Sequence, residues 1–389
     1  MKVTSVKRVH QSDWRKEGVP FLRARDIIAF NKGQKIKEPI YISESQYEKY
    51  VKQSGRVTPG DLLVTGVGSI GVPFVVKAKT PLYFKDGNII WFQNKTLDPD
   101  FLFYQFTSAS VQSFVMSSSG KGTVGTFTIS SGKRTPIVFP VMSEQRRIGM
   151  TLRNISNLIA ATQGKFDQLQ MVKKALLQHL FDQSMRFKGY SDPWEKRKLG
   201  ELLTLLKDGT HGTHKKGCFA FLLSAKNVTR NKLHFDDTDR KISKKDFDEI
   251  YANYHLVQND ILVTIVGTIG RVALFPKLNV PIAFQRSVAI LRPKNLLSPG
   301  FLALELQTHS VQYQLSASSN MSAQAGIYLG DLKRIIIAIP ESQEQDDIAN
   351  TLFHLNDLIA ATQSKLSSLE SLKKPCYKDF SFEWERLTR

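Results

Sequence analysis

A chain of 389 residues, 41% hydrophobic and 23% charged, is long enough for two or three domains that each bury a core. Two distant cysteines, Cys218 and Cys376, supply no disulfide framework and suit a reducing cytoplasm. The net charge of +19 calls for a polyanionic partner; residues 1–8 lack the apolar core of a secretory signal, and runs such as 335–339 are too short to span a membrane.

In chain order, residues 1–142 read as short β-branched runs at 62–65, 74–76, 89–92 and 137–139, punctuated by Gly, Pro and Ser, with a helix over 100–113. After Pro140, Ser143 as a cap and Glu144 at the positive end predict the start of a long helix. Its apolar positions recur at spacings of four and three: Ile148, Leu152, Ile155, Ile159, Thr162, Phe166, Leu169, then Leu176 and Leu180, with only Lys173 out of series. A second mixed block follows from residue 187, with runs at 261–266, 271–275, 288–291 and 335–339 and a helix near 299–312. A second long helix keeps the register of the first through Ile348, Leu352, Leu355, Ile359, Thr362, Leu366 and Leu369. Pro375 stands where Ala175 continues the first helix, so the second is expected to end or kink near Lys374.

The chain therefore repeats itself. Asp61-Leu62-Leu63-Val64-Thr65 returns as Asp260-Ile261-Leu262-Val263-Thr264, and residues 158–163 return letter for letter at 358–363. An offset near 200 residues means two similar domains, not a solenoid. Both mixed blocks are basic, net +10 over 1–140 and +6 over 201–340. One heptad helix alone leaves a wet apolar stripe, whereas two can bury each other. The stretches carrying them are net +6 (141–200) and −3 (341–389), which favours pairing with each other over self-pairing. The expected fold class is α+β: two similar mixed α/β domains, 1–142 and 187–342, separated by helices in 143–186 and 343–389 that pair as an antiparallel coiled coil, the whole a pseudo-twofold internal repeat.

Gly66-Val67-Gly68-Ser69-Ile70-Gly71 has the spacing of a dinucleotide loop, but a strand-like run follows it where a phosphate loop would open a helix. The second copy, Gly267-Thr268-Ile269-Gly270, has lost the first glycine. Both read as tight turns between strands, whose tips can approach a phosphate backbone. Arg271 follows one turn and Val72 the other, which allows two specificities. His211, His214 and Cys218 lack a fourth ligand and read as a polar loop, so no metal is expected. There is no Walker A loop, HExxH, GxSxG elbow or adenine-methylation run, so no catalytic residue is expected either. The candidates for DNA contact are turn and loop residues: Arg23, Arg25, Gly68, Ser69, Lys121, Lys133, Arg134, Lys207, His211, Lys226, Gly267, Thr268, Arg271, Arg286, Lys333 and Arg334. Arginine can give guanine two hydrogen bonds, while lysine more often holds phosphate.

The assembled pattern resembles the specificity subunit of type I restriction-modification systems. The likeness is carried by Gly60-Asp61-Leu62-Leu63-Val64-Thr65 with Gly68-Ser69-Ile70-Gly71, and by Asp260-Ile261-Leu262-Val263-Thr264 with Gly267-Thr268-Ile269-Gly270. Pro140 before Ser143-Glu144-Gln145, Pro340 before Gln343-Glu344-Gln345, and Lys207-Asp208-Gly209-Thr210-His211 belong to it too. The resemblance covers nearly the whole chain. It implies two target-recognition domains, each reading one half of a split, asymmetric double-stranded DNA site. It also implies that the helices set the gap and dock two methyltransferase (modification) subunits. Those would carry S-adenosylmethionine, restriction subunits would add chemistry driven by ATP and Mg, and this chain would be a non-catalytic cytoplasmic protein with no cofactor and no membrane partner.

Aligning Phe21 with Phe221 leaves Trp194-Glu195-Lys196-Arg197-Lys198-Leu199-Gly200 without a counterpart before the first copy, while Trp384-Glu385-Arg386-Leu387 resembles that piece. A circular arrangement, with the C-terminal tail at the entrance of the first domain, is therefore expected. The competing reading is a coiled-coil scaffold whose basic domains bind other proteins or nucleic acid non-specifically. An RNA reader would need aromatic stacking signatures that are not evident, and a nuclease or methyltransferase would have to bind metal or S-adenosylmethionine alone.

Overall fold

Runs that are buried at every position, Leu62–Thr65 and Ile261–Thr264, become the centres of two four-stranded antiparallel sheets. The chain is described here from a computed structural model over residues 1–77, 79–119, 125–229, 231–319 and 326–378. It divides into two units, Met1–Gly164 with the chain from Gln363, and Lys165–Thr362.

In the first unit the strand order is Lys2–Thr4, Ile89–Gln93, Leu62–Thr65, Pro73–Val75, with Leu62 opposite Phe92 and Val75. The second unit has the matching order Leu203–Asp208, Val288–Pro293, Ile261–Thr264, Val272–Leu274, with Ile261 opposite Leu291 and Leu274. Alternate residues serve two cores, which explains why these strands do not alternate apolar with polar. Leu62, Val64, Ile90 and Phe92 pack with the helical residues Leu102, Phe106, Val111 and Val115. Leu63, Ile89 and Trp91 pack on the opposite side with Phe21, Tyr47 and Tyr83 of an outer lobe. The lobe has its own three-stranded sheet, Ile40–Ile42, Val19–Leu22 and Tyr83–Phe84, and the second unit repeats it with Lys241–Ile242, Lys216–Leu223 and Ile282–Phe284.

Three expectations about local structure are corrected. The single helices expected at 100–113 and 299–312 are each two, Pro99–Phe106 with Ala109–Ser118 and Pro299–Glu305 with His309–Ala317. Ser108 and Thr308 restart the chain, each accepting a backbone N–H three residues on. The run at 137–139 is not a strand, although its second copy, Ile336–Ile339, is. The difference is the partner: Ile336–Ile339 pairs with Glu195–Lys198, and among the described residues nothing pairs with 137–139. Pro375 does not end the second long helix, which spans Ser342–Lys378. A proline deletes one backbone hydrogen bond, but its fixed φ is compatible with a helix. The C-terminal tail lies outside the described residues.

The long helices are Met142–Phe181 and Ser342–Lys378, 40 and 37 residues. At 1.5 Å per residue they extend roughly 55–60 Å. The first begins one residue ahead of Ser143, so that serine lies inside the first turn. Of the seam, Leu152, Ile348, Leu352, Leu366 and Leu369 are buried, and Ile148, Ile155, Ile159, Phe166, Leu169, Leu355 and Ile359 are partly so. Each unit holds the beginning of one helix and the end of the other. In the second unit Leu176, Leu177, Leu180 and Phe181 share a core with Ile348, Ala349, Leu352 and Phe353. Among the described residues no helix is long and apolar enough to cross a membrane.

The Pro-then-Gln spacing at the start of both long helices has a structural reason. Gln145, 3% exposed, accepts the Asp98 N–H at 3.0 Å and donates to the Pro140 carbonyl at 2.8 Å. Gln345, 1% exposed, does the same with Ser298 and Pro340. A buried glutamine thus fixes each helix onto the sheet domain beside it.

Candidate nucleic-acid interface

Each central strand runs into a glycine turn, and a threonine holds the turn closed. Thr65 Oγ1 donates to the Ser69 carbonyl and accepts the Val72 N–H at 3.0 Å, while Gly71 N–H donates to the Thr65 carbonyl at 2.8 Å. Thr264 repeats this with Thr268, Arg271 and Gly270. Gln112 and Gln312 brace the turns from the helices, each donating to the carbonyl of the last turn glycine at 2.9 Å. The turns join antiparallel strands, not a strand and a helix.

Such a turn needs left-handed backbone, and Gly68 and Gly267 supply it at φ 71° and 81°. A side chain placed at either would meet nothing within 4 Å, so the tips are open. They are rigid at the base and unobstructed at the end, which lets a bulky backbone come close.

In the second unit other candidates gather at the same end of the sheet. Ile265 N–H donates to the Ser287 carbonyl, Arg286 N–H to Thr210, and Ala225 N–H to Ser287 Oγ, at 2.9, 3.1 and 3.0 Å. This ties the turn bearing Gly267 and Thr268 to Arg286, to the loop with His211, and to the start of the segment with Lys226. Arg271 and Arg286 are exposed and form no ion pair among the described residues. Lys207, on the strand next to this loop, lies with Nζ 4.7 Å over the Tyr254 ring. His211 Nε2 meets Asp208 at 2.6 Å and His214 Nε2 meets Thr210 at 2.8 Å, which accounts for both rings of the polar loop.

Other candidates are committed elsewhere. Arg23 is a structural clamp: its fork grips Asp26 at 2.8 and 2.9 Å, and Asp26 is 3% exposed. Lys226 Nζ lies 2.7 Å from Asp239, and its hydrogen bond holds that carboxyl below the usual carboxylate range. Arg25 is exposed and loosely paired with Glu38 at 3.4 Å. Lys333 packs on Gly200, at the far end of strand Leu203–Asp208 from the glycine turn, and Arg334 beside it pairs with Asp331. Lys133 and Arg134 are exposed at the end of helix Ile129–Lys133. Lys121 lies outside the described residues.

Sequence reasoning missed Thr65, Thr264, Gln112 and Gln312. All four recur at the offset of the repeat, and that recurrence was the available signal.

Two copies of one basic α/β unit, each ending in an open turn and pinned to a long helix by a buried glutamine, define a duplicated recognition module. The profile of the Type I restriction modification DNA specificity domain matches residues 7–171 and 191–371, and the chain belongs to that family. It is similar to the Type I restriction enzyme EcoBI specificity subunit of Escherichia coli, 23% identical over 367 residues covering 88% of this chain and 74% of that one. It is also similar to the Type I restriction enzyme MjaVIII specificity subunit of Methanocaldococcus jannaschii, 23% identical over 299 residues, 72% of this chain and 69% of the relative. The S subunit of the type I restriction-modification system from M. genitalium has the same fold, with a TM-score of 0.57 at 15% identity over 97% of this chain and 92% of that one. The chain is a DNA-recognition subunit of a type I restriction-modification complex, and as such a non-catalytic component.

Proposed function

We propose that each unit reads one half of a bipartite, asymmetric double-stranded DNA site, and that the paired helices fix the gap between the halves. The observation that carries this is the duplicated turn: the same threonine and glutamine clamp holds the same open tip in both units. The residues that follow differ, Val72 in one and Arg271 in the other. What the units share suits phosphate, which every sequence offers; what differs suits base edges. In this reading the contacts come from Gly68, Ser69, Gly267, Thr268, Arg271, Arg286, Lys207 and His211, with Arg25 in the first unit. Lys133, Arg134, Lys333 and Arg334 stay outside that set.

The outer faces of the two helices dock two methyltransferase subunits, which bring S-adenosylmethionine. Restriction subunits, with ATP and Mg, complete the complex in the cytoplasm. This chain itself holds no cofactor.

Binding of the chain, co-expressed with its methyltransferase subunit, to duplex DNA across a salt series tests the interface. Six to ten phosphate contacts lose roughly 10³–10⁵ in affinity between about 50 and 200 mM salt. A flat salt response would contradict a DNA interface and favour a protein-binding scaffold.

A further inference from the structure

The outer lobe of the first unit carries a concavity of about 390 Å³ that the glycine turn does not explain. Its apolar floor is Trp14, Pro39 and Ile40, and Arg15, Lys16 and Arg25 stand around it. Backbone pairing builds it: Arg15 and Tyr41 exchange N–H···O bonds of 2.8 and 3.1 Å, which lays residues 14–16 beside 38–41. Trp14 leans on Phe21, ring centroids 6.3 Å apart, and its buried Nε1–H has no acceptor among the described residues.

The two arginines that reach this place differ in kind. Arg23 is fixed by Asp26 and donates a further bond to the Glu38 carbonyl at 2.9 Å. That bond helps hold Glu38 in the left-handed region at φ 54°, unusual for a residue with a side chain. The Glu38 carboxylate, 85% exposed, then faces Arg25, 58% exposed, at 3.4 Å. Arg25 Nε also lies 4.0 Å from Asp26, whose carboxylate Arg23 already grips. An exposed pair such as that with Glu38 is weak, so Arg25 is held in place but easily released.

The second unit shows which part of the site is general. At an offset of 200 it has His214, Lys215 and Lys216 for Trp14, Arg15 and Lys16, and Lys216 opens the strand Lys216–Leu223, opposite Ile242. The cations persist. Arg23 and Arg25, however, become Leu223 and Ala225. A feature kept in both units positions the DNA backbone, and one present in a single unit distinguishes sequence.

We infer that this concavity is a base-reading site of the first unit, in which Arg25 leaves Glu38 to read a guanine edge while Arg15 and Lys16 hold the flanking phosphates. The Arg25 fork matches guanine O6 and N7, and the apolar floor keeps water from competing. The inference rests on the reading of the first unit as a half-site reader.

The test is selection from random duplex DNA with the full chain and its methyltransferase subunit, comparing the wild type with Arg25→Ala, Arg25→Lys and the nearby control Lys35→Ala. Arg25→Ala should relax preference at one guanine of one half-site by roughly 5- to 150-fold and leave the other half-site unchanged. Arg25→Lys keeps the charge but not the fork, so it should relax the same position with less loss of affinity. Lys35→Ala should leave the preference intact. An unchanged profile for both arginine variants, or a uniform loss of affinity at every position, overturns the inference while leaving the two-half reading intact. A wild-type profile without two half-sites overturns both.

Discussion

Glu305 should make the second unit less stable as the pH rises, and Glu305→Gln should remove that dependence. The carboxyl is 6% exposed on helix Pro299–Glu305, with Oε1 accepting the Ala338 N–H at 3.4 Å and Oε2 without a partner among the described residues. Burial pushes its pKa from 4.5 up to about 8, and the Ala338 hydrogen bond offsets only part of this. Because the folded value lies above the unfolded one, the folded state keeps the proton. The protonated carboxyl's contribution is whole below about pH 4.5, falls as pH rises, and is lost above about pH 8. Each pH unit in that window is worth about 1.4 kcal/mol, so the wild type forgoes about 3 kcal/mol by pH 7. Glutamine keeps the oxygen that serves Ala338 and cannot ionise. The first unit already has Gln105 at the matching, buried position. Urea unfolding of both proteins at pH 5, 7 and 8.5 checks this: the variant should gain less than about 1 kcal/mol at pH 5, about 3 kcal/mol at pH 7 and about 4–5 kcal/mol at pH 8.5. A difference that does not grow with pH, or a variant less stable at pH 8.5, refutes the argument.

Glu344, 1% exposed, accepts from Arg186 at 2.6 and 2.9 Å and from the buried Trp194 Nε1–H at 3.2 Å. Glu344→Ala strands that indole N–H and should cost about 1–3 kcal/mol in denaturant unfolding, whereas its repeat mate, exposed Glu144, should tolerate alanine within about 0.5 kcal/mol. Thr264→Val removes both hydrogen bonds of the turn clamp; a stability loss of about 1–3 kcal/mol, with weaker DNA binding by fluorescence anisotropy, is expected. Gly267→Ala strains a left-handed tip by roughly 1–2 kcal/mol and places a methyl group towards the DNA, so affinity should fall more than folding stability.

The long-range plan was legible because duplication and heptad spacing are properties of sequence alone. Ile148 to Leu169 and Ile348 to Leu369 could be assigned to a seam without knowing what they touch. Individual contacts were harder to see, because a charge is committed by its neighbour in space. Arg23 looks like a free arm until Asp26 folds back onto it, and Lys226 until Asp239 arrives thirteen residues on. Residues 137–139 have the composition of a strand, yet a strand also needs a partner, and residue type does not record one. The lobe site around Trp14 depends on the bridge between Arg15 and Tyr41, 26 positions apart. Only the recurrence of two cations at Lys215 and Lys216 hinted at it.

The central claim, two independent readers on a fixed spacer, is tested most directly by selecting binding sites from random duplex DNA with the wild-type chain and its methyltransferase subunit. The account predicts two short, different half-sites at a single fixed gap. A single continuous site, or no enrichment beyond salt-sensitive non-specific binding, would contradict it.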